Sequence, residues 1–332
     1  MANRPTALFA MSREHLPMIF PEHVMSQLRR LVDVDETAVV ERFDTPEAVA
    51  ALADVEVLVT GWGCPPIDAA VLRAAPRLRA VLHTGGSVKA HVTPECWERG
   101  VVVSSAADAN ALPVAELTLA MILLVGKDVL GLRERYRTER HFTLAEVVPD
   151  IGNFRRRVGI VGASRIGRRV VELLAPFDLI VSLTDPYLTA PLPGVRLVEL
   201  DELLRDSDVV SLHAPATPET HHMLDKRRLA LIPDGGVLIN TARGSLVDTD
   251  ALIDELSSGR ISAVLDVTEP EPLPSDSPLF DLPNVFLTPH VAGSHGNELG
   301  RLGQSAVDDL ERLIAGVPLQ GQVLPADLDR VA

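Results

Sequence analysis

Cysteine is almost missing from this chain. The two present among 332 residues, Cys64 and Cys96, are too few for a disulfide framework and sit amid no metal-ligand spacing. They read as ordinary reduced residues, and no metal is assigned. Surplus positive charge is missing as well. A formal net charge of −15 argues against nucleic acid or an anionic membrane as partner, and requires an anionic ligand to find local positive charge. No apolar run spans a bilayer: the longest, 117–126, is about half the ~20 residues required and reads as a buried helix. The N-terminus lacks a basic region followed by a long apolar stretch, so no secretory leader is expected and the reading is cytoplasmic. Internal repeats and low-complexity tracts are absent.

What is present is a rhythm. Short apolar, β-rich runs at 7–10, 55–60, 80–83, 101–104, 158–161, 180–183, 209–212, 237–240, 263–266 and 285–288 alternate with helical patterns, which predicts parallel sheets in an α/β fold. At 332 residues the chain exceeds what one core usually serves, so two domains are expected. The spacing predicts a first unit over 1–108, a second over 109–295, and a tail, 296–332, that returns to the first. A long helix over 113–137, with Pro113 in its first turn, leads out of the first unit, and 138–157 reads as a crossing loop. Arg155, Arg156 and Arg157 read as a solvated basic strand end.

The sharpest local signal lies where the 158–161 run empties into Gly162-Ala163-Ser164-Arg165-Ile166-Gly167. Gly162 can carry the backbone through a tight turn, and Gly167 lets the following helix press on the strand. The helix N-terminus then offers N–H groups and a positive dipole end to a pyrophosphate. Asp185 closes the next strand about 20 residues on, where the motif requires an acceptor for the adenosine ribose. Its carboxylate would repel a 2′-phosphate, and Pro186 and Tyr187 bring no arginine to hold one, so the expected cofactor is NAD rather than NADP. Ser164 stands where the second glycine belongs, so its side chain must tolerate the phosphates, and its hydroxyl can donate to one. A glycine turn in an ordinary βαβ unit is the competing reading.

Four further motifs follow in order. They are Val210-Ser211-Leu212-His213-Ala214-Pro215 with Thr217-Pro218-Glu219-Thr220; Asn240-Thr241-Ala242-Arg243-Gly244; Leu265-Asp266-Val267 with Glu271-Pro272; and Thr288-Pro289-His290-Val291-Ala292-Gly293. With the glycine fingerprint they resemble the D-isomer-specific 2-hydroxyacid dehydrogenase family, of the phosphoglycerate, glyoxylate and hydroxypyruvate dehydrogenase kind, over nearly the whole chain. The resemblance implies two Rossmann-like domains, a flavodoxin-like substrate domain and a doubly wound NAD-binding domain, with the active site in the cleft between them and a homodimer formed through the cofactor domain. It also implies that Arg243, Glu271 and His290 are catalytic. Reducing a 2-keto acid needs a hydride at the keto carbon and a proton at its oxygen, and a histidine suits the second task. His290 would give that proton in reduction and take it back in oxidation. Glu271 would hydrogen-bond the other ring nitrogen and fix the tautomer, while Arg243 would hold the substrate's carboxylate and keto oxygen with a planar fork of donors. Glu269 is the rival carboxylate; family spacing from Asp266 favours Glu271.

Cofactor contacts carry over motif by motif. Arg165 and Ile166 would offer backbone N–H groups to the pyrophosphate beside Gly162, Ser164 and Gly167. His213, Ala214 and Pro215 would lie along the adenosine, and Thr220, Ala242, His290 and Gly293 complete the set. Thr241 would meet the nicotinamide carboxamide through its backbone carbonyl and Asp266 would accept from its N–H, a helix N-cap being the competing role for Asp266. Thr118 would face the nicotinamide end, or else be a core or back-bonded threonine. In the first unit, Gly85, Gly86 and Ser87 occupy the loop where the family turns backbone N–H groups toward the substrate carboxylate, and adjacent glycines suit an anion nest. Lys89 reads either as a solvated lysine or as the mark of a substrate with a second anionic group. Trp62 reads as a residue of the cleft mouth or of the core. The expected activity is NAD-dependent interconversion of a small, anionic D-2-hydroxyacid and its 2-keto acid. The alternatives are a phosphite or phosphonate dehydrogenase on the same scaffold and an NAD-sensing scaffold like the C-terminal binding protein corepressors.

Overall fold

The computed structural model describes residues 4–141 and 151–328, and the chain divides into two compact units, 1–111 with 294–332 and 112–293. The sequence spacing put the seams at 108 and 295; the first falls inside a helix, Ala107–Gly126.

In the first unit, β1 (Thr6–Ala10), β2 (Asp33–Val40), β3 (Val57–Thr60), β4 (Ala80–His83) and β5 (Val102–Ser105) form a parallel sheet in the order β2-β1-β3-β4-β5, the flavodoxin-like winding. Successive strand residues face opposite ways, so β1 sends Ala7 and Phe9 into one core and Leu8 and Ala10 into the other. A strand buried on both faces must be apolar throughout, which is why these runs are continuous rather than alternating. The helix Leu299–Ile314 belongs to this unit, where Leu299, Leu302, Ala306, Val307 and Leu310 enter the first core beside Ile19, Val24 and Leu28. Gly303 permits the close approach: a Cβ there would lie 2.0 Å from the Ile19 carbonyl oxygen.

The second unit holds β6 (Arg157–Val161), β7 (Ile180–Thr184), β8 (Arg196–Leu197), β9 (Val209–Leu212), β10 (Val237–Asn240), β11 (Ser262–Leu265) and β12 (Val285–Leu287), all parallel, in the order β12-β11-β10-β9-β6-β7-β8. The winding reverses between β6 and β9, and in open α/β sheets ligands bind at the carboxyl ends of the strands at such a switch point. Val158, Ile160, Val209 and Ile239 pack on one face with Ala115, Ile122, Val170 and Leu174; Val161, Val210, Leu238 and Leu265 pack on the other with Leu203 and Leu252. Ile160 is fully buried, a contribution of about 1.5–3 kcal/mol.

Three expectations need correction. The single helix over 113–137 is two: it starts at Ala107, ends at Gly126, and resumes as Val129–Glu139 after Asp128 at φ +49. Pro113 therefore lies inside the helix, not in its first turn, and removes one i→i−4 bond. Buried Ala115, Thr118 and Ile122 hold the segment helical despite that loss. Among the described residues this helix alone is long and apolar enough to cross a membrane; Ala115, Met121 and Ile122 instead enter the second unit's core. The loop read over 138–157 lies partly outside the described residues. At its end two of the three arginines are tied to protein partners, Arg157 Nη2 to Asp208 at 2.5 Å and Arg156 Nη1 to the Gly126 and Gly152 carbonyls at 3.2 Å, while Arg155 and Arg157 stay exposed as the solvated reading expects.

Candidate active site

The strand tips of the second unit gather most of the residues singled out in the sequence. Gly162 leaves β6 at φ +101, a left-handed conformation that favours glycine, and a Cβ there would lie 2.7 Å from the Ala214 nitrogen. A Cβ on Gly167 would lie 2.0 Å from the Gly162 carbonyl oxygen, so the helix Arg165–Leu174 sits directly on the strand exit. Ser164 caps that helix: the Gly167 N–H donates to its Oγ at 3.3 Å. Its backbone, at φ −63 and ψ 177, is one any residue adopts, which explains why serine replaces glycine here without strain.

The turn is clamped from two sides. Asp185 Oδ2 accepts from the Ala163 N–H at 2.7 Å and Oδ1 from the Tyr187 N–H at 2.8 Å, while Arg168 Nε donates to the Ala163 carbonyl at 2.9 Å. Arg168 was not among the residues expected at the site. Beside the turn, His213 is buried, with Nε2 2.9 Å from Ser211 Oγ, and its Nδ1 has no partner among the described residues. Burial pushes the imidazole down to about 3, so the ring is neutral. A glycine turn at a helix N-terminus, a fixed carboxylate and an unpartnered buried ring nitrogen fit a dinucleotide. Thr220 shapes its own loop: Oγ1 donates to the Pro215 carbonyl at 2.6 Å and accepts from the Thr217 N–H at 2.8 Å.

Asn240, at the tip of β10, holds the arginine loop with both ends of its amide, Oδ1 accepting from the Ala242 N–H at 3.1 Å and Nδ2 donating to the Arg243 carbonyl at 2.9 Å. Thr118 and Thr241, both buried, meet through their hydroxyls at 3.0 Å, so Thr118 acts on the loop through a side chain rather than as a lone core residue. Arg243 is exposed, and Nη1 donates to the Ala242 carbonyl at 2.6 Å. A Cβ on Gly244 would lie 2.1 Å from the Thr268 carbonyl group and 2.6 Å from the Glu269 nitrogen. Only glycine permits the arginine loop and the glutamate loop to touch backbone to backbone.

Asp266, read as a carboxamide acceptor or a helix N-cap, caps no helix and holds the histidine loop. Its Oδ1 accepts from Thr288 Oγ1 at 2.6 Å and from the Val291 N–H at 2.8 Å, its Oδ2 from the Ala292 N–H at 2.9 Å, and its backbone carbonyl from the His290 N–H at 2.9 Å. A buried carboxylate thus holds the histidine loop from within. His290 itself sits at φ +54, a conformation uncommon outside glycine, and its Nδ1 lies 2.5 Å from Glu271 Oε1, both side chains being about half exposed. Glu269 turns elsewhere, to His222 Nε2 at 3.1 Å. An ionised carboxylate only accepts, so Nδ1 carries the proton of this bond and Nε2 is left for another partner.

In the first unit, neither Gly85 nor Gly86 adopts a left-handed conformation. Gly85 makes room for its neighbour: a Cβ there would lie 2.6 Å from Nε2 of buried His83, whose Nδ1 is 2.9 Å from Thr60 Oγ1 and which burial pushes down to about 3. Lys89 is exposed, its N–H only 3.5 Å from Ser87 Oγ. Trp62 packs against the first core and lies edge-on to His15, centroids 5.6 Å apart, which favours its core reading.

The family model described as D-isomer specific 2-hydroxyacid dehydrogenase, NAD binding domain, matches residues 119–292. D-3-phosphoglycerate dehydrogenase of Mycobacterium tuberculosis is 34% identical over 299 residues, 88% of this chain and 55% of that protein. Glyoxylate reductase of Thermofilum pendens is 32% identical over 324 residues, 92% of this chain and 93% of its own. The crystal structure of the TT0316 protein from Thermus thermophilus is 32% identical and superposes with a TM-score of 0.73, covering 96% of this chain and 100% of that one. The chain spans about half the length of the phosphoglycerate dehydrogenases it matches. Because the matched stretch carries the glycine turn, the arginine loop and the histidine with its glutamate, and because the glyoxylate reductase likeness runs nearly end to end, the chain belongs to the D-isomer specific 2-hydroxyacid dehydrogenase family and contains its NAD-binding domain.

Proposed function

We propose that the chain is an NAD-dependent oxidoreductase interconverting a small D-2-hydroxyacid and its 2-keto acid. The observation that carries this reading is the 2.5 Å bond between His290 Nδ1 and Glu271 Oε1 at the strand tips of a dinucleotide fold. Bound NAD supplies or accepts the hydride at the substrate's second carbon. With Nδ1 committed to Glu271, His290 Nε2 delivers a proton to the keto oxygen in reduction and removes the hydroxyl proton in oxidation. Arg243 leaves the Ala242 carbonyl and turns its fork to the substrate carboxylate, exchanging a neutral acceptor for a charged one. Asp185, fixed by two backbone donors beside the phosphate turn, keeps acceptor capacity for ribose hydroxyls and repels a 2′-phosphate, which supports NAD over NADP.

Following NADH oxidation with glyoxylate, pyruvate, hydroxypyruvate, phenylpyruvate and phosphonopyruvate tests the reading. Turnover of at least one keto acid is expected; NADH binding with turnover of none would overturn it. A cytoplasmic homodimer belongs to the same proposal. The helix Val129–Glu139 buries none of its residues and exposes Val129 and Tyr136, surface suited to a second copy. A monomer in sedimentation velocity would remove that part.

A further inference from the structure

Among the described residues, one group of metal-ligating side chains is unused by the chemistry above: His221, His222 and Glu269, whose ligand atoms all lie within 4.8 Å of one another. Consecutive residues in extended chain point to opposite faces, so neighbouring histidines do not ordinarily share a target. Here His222 adopts φ +50, uncommon for a residue with a Cβ, and the two rings stack with centroids 3.9 Å apart. Both present Nε2 to one carboxylate oxygen, Glu269 Oε2, at 3.1 Å from His222 and 3.9 Å from His221.

The backbones behind the three are pinned. The His221 N–H donates to the Thr217 carbonyl at 3.1 Å, the His222 N–H to the Ser245 carbonyl at 2.8 Å, and Thr249 Oγ1 donates to the Glu269 carbonyl at 2.7 Å. The side chains themselves remain about half exposed, so an ion reaches them from solvent and small rotations about their own bonds close the remaining gap.

We propose that His221, His222 and Glu269 form a binding site for a divalent transition-metal ion of the zinc class, separate from the His290–Glu271 pair. Two imidazole nitrogens and one carboxylate oxygen suit zinc, nickel or copper and not magnesium or calcium, which prefer oxygen donors. Three protein ligands at about 2.0–2.2 Å leave a fourth, tetrahedral position for water. The ion ties the loop after β9 to the loop after β11, and so stiffens the segment two residues ahead of Glu271. The thiols do not compete, since Cys64 and Cys96 are both buried. The inference does not depend on which reaction the chain performs.

Titration of the full chain with zinc chloride, by calorimetry and by thermal melting, tests it. One equivalent should bind and raise Tm. His221→Ala and Glu269→Gln should each weaken binding about tenfold or more and remove the Tm rise, whereas His290→Gln should leave both unchanged. Glu269→Gln keeps the side chain's shape, so it decides the matter if His221→Ala fails to fold. Zinc affinity unaltered by Glu269→Gln, or lost in His290→Gln, would overturn the site.

Discussion

The two units are built from the same parts. Each has a parallel sheet covered on both faces, a buried histidine bonded to a hydroxyl (His83 to Thr60, His213 to Ser211), and a buried aspartate that holds a loop by its amides (Asp309 accepting from the Gln320 and Gly321 N–H groups, Asp266 from those of Val291 and Ala292). What the second unit adds is polar side chains left reachable at its strand tips: Arg243, Glu271 and His290. The architecture and its buried polar groups are therefore common property, and the proposed function places the chemistry in the few groups that were not sealed in. Burial holds His83 and His213 neutral near neutral pH, whereas His290 and Glu271 keep about half of their side-chain surface open to solvent.

Changing the reachable groups should strike activity with little effect on stability, and changing the sealed ones should do the reverse. The largest effect is expected for His290→Gln, which should lower kcat in both directions by roughly 10²–10⁴ while urea unfolding stays near wild type. Arg243→Lys should cost nearly as much kcat/KM as Arg243→Ala, since an ammonium cannot reproduce a bidentate fork; a fully active Arg243→Lys enzyme would contradict the assignment. Asp266→Asn sets an amide N–H against a backbone N–H that now has an acceptor, and should cost about 2–3 kcal/mol in urea denaturation.

Acid should act on both units alike. Burial holds His83 and His213 down to about 3, below their unfolded value of about 6.5. The unfolded chain therefore takes up protons that the folded chain refuses. Their contribution is complete above about pH 6.5 and is lost as pH falls toward 3. His213→Asn should flatten the dependence of the urea midpoint over that window, and an unchanged slope would refute the account. The smallest effect is expected for Asp185→Ala, a several-fold relaxation of the preference for NAD over NADP, read as the ratio of their kcat/KM values.

Much of this was legible because buried parallel strands are apolar without interruption. β3, β4, β9 and β10 announce themselves in that way, and Gly162 and Gly167 do so by type and spacing. β2 did not, because it is an edge strand that opens on exposed Asp33 and Asp35 alternating with half-buried Val34 and Glu36. β8 is only Arg196–Leu197. The break at Asp128 left no mark, since an aspartate can sit in a helix or leave it, and the apolar helix Ala107–Gly126 has no polar face to end. At the site, residue types pointed to Arg243, Glu271 and His290, but what holds them was hidden. Asp266 reaches Thr288, Val291 and Ala292 across a strand and a loop, Arg168 takes a carbonyl behind its own helix, and Glu269 meets His222 from a remote stretch of chain. Linear spacing carries no trace of such closures.

The backbone contact at Gly244 has a further consequence. Because the segment bearing the guanidinium and the segment bearing Glu271 meet backbone to backbone, their main chains keep a fixed spacing, and on the proposed reading that spacing would set the span from carboxylate anchor to proton donor like a ruler. On that reading a substrate would be measured against the ruler at its first two carbons whatever its tail, so variation in what is accepted would have to come from residues beyond both marks.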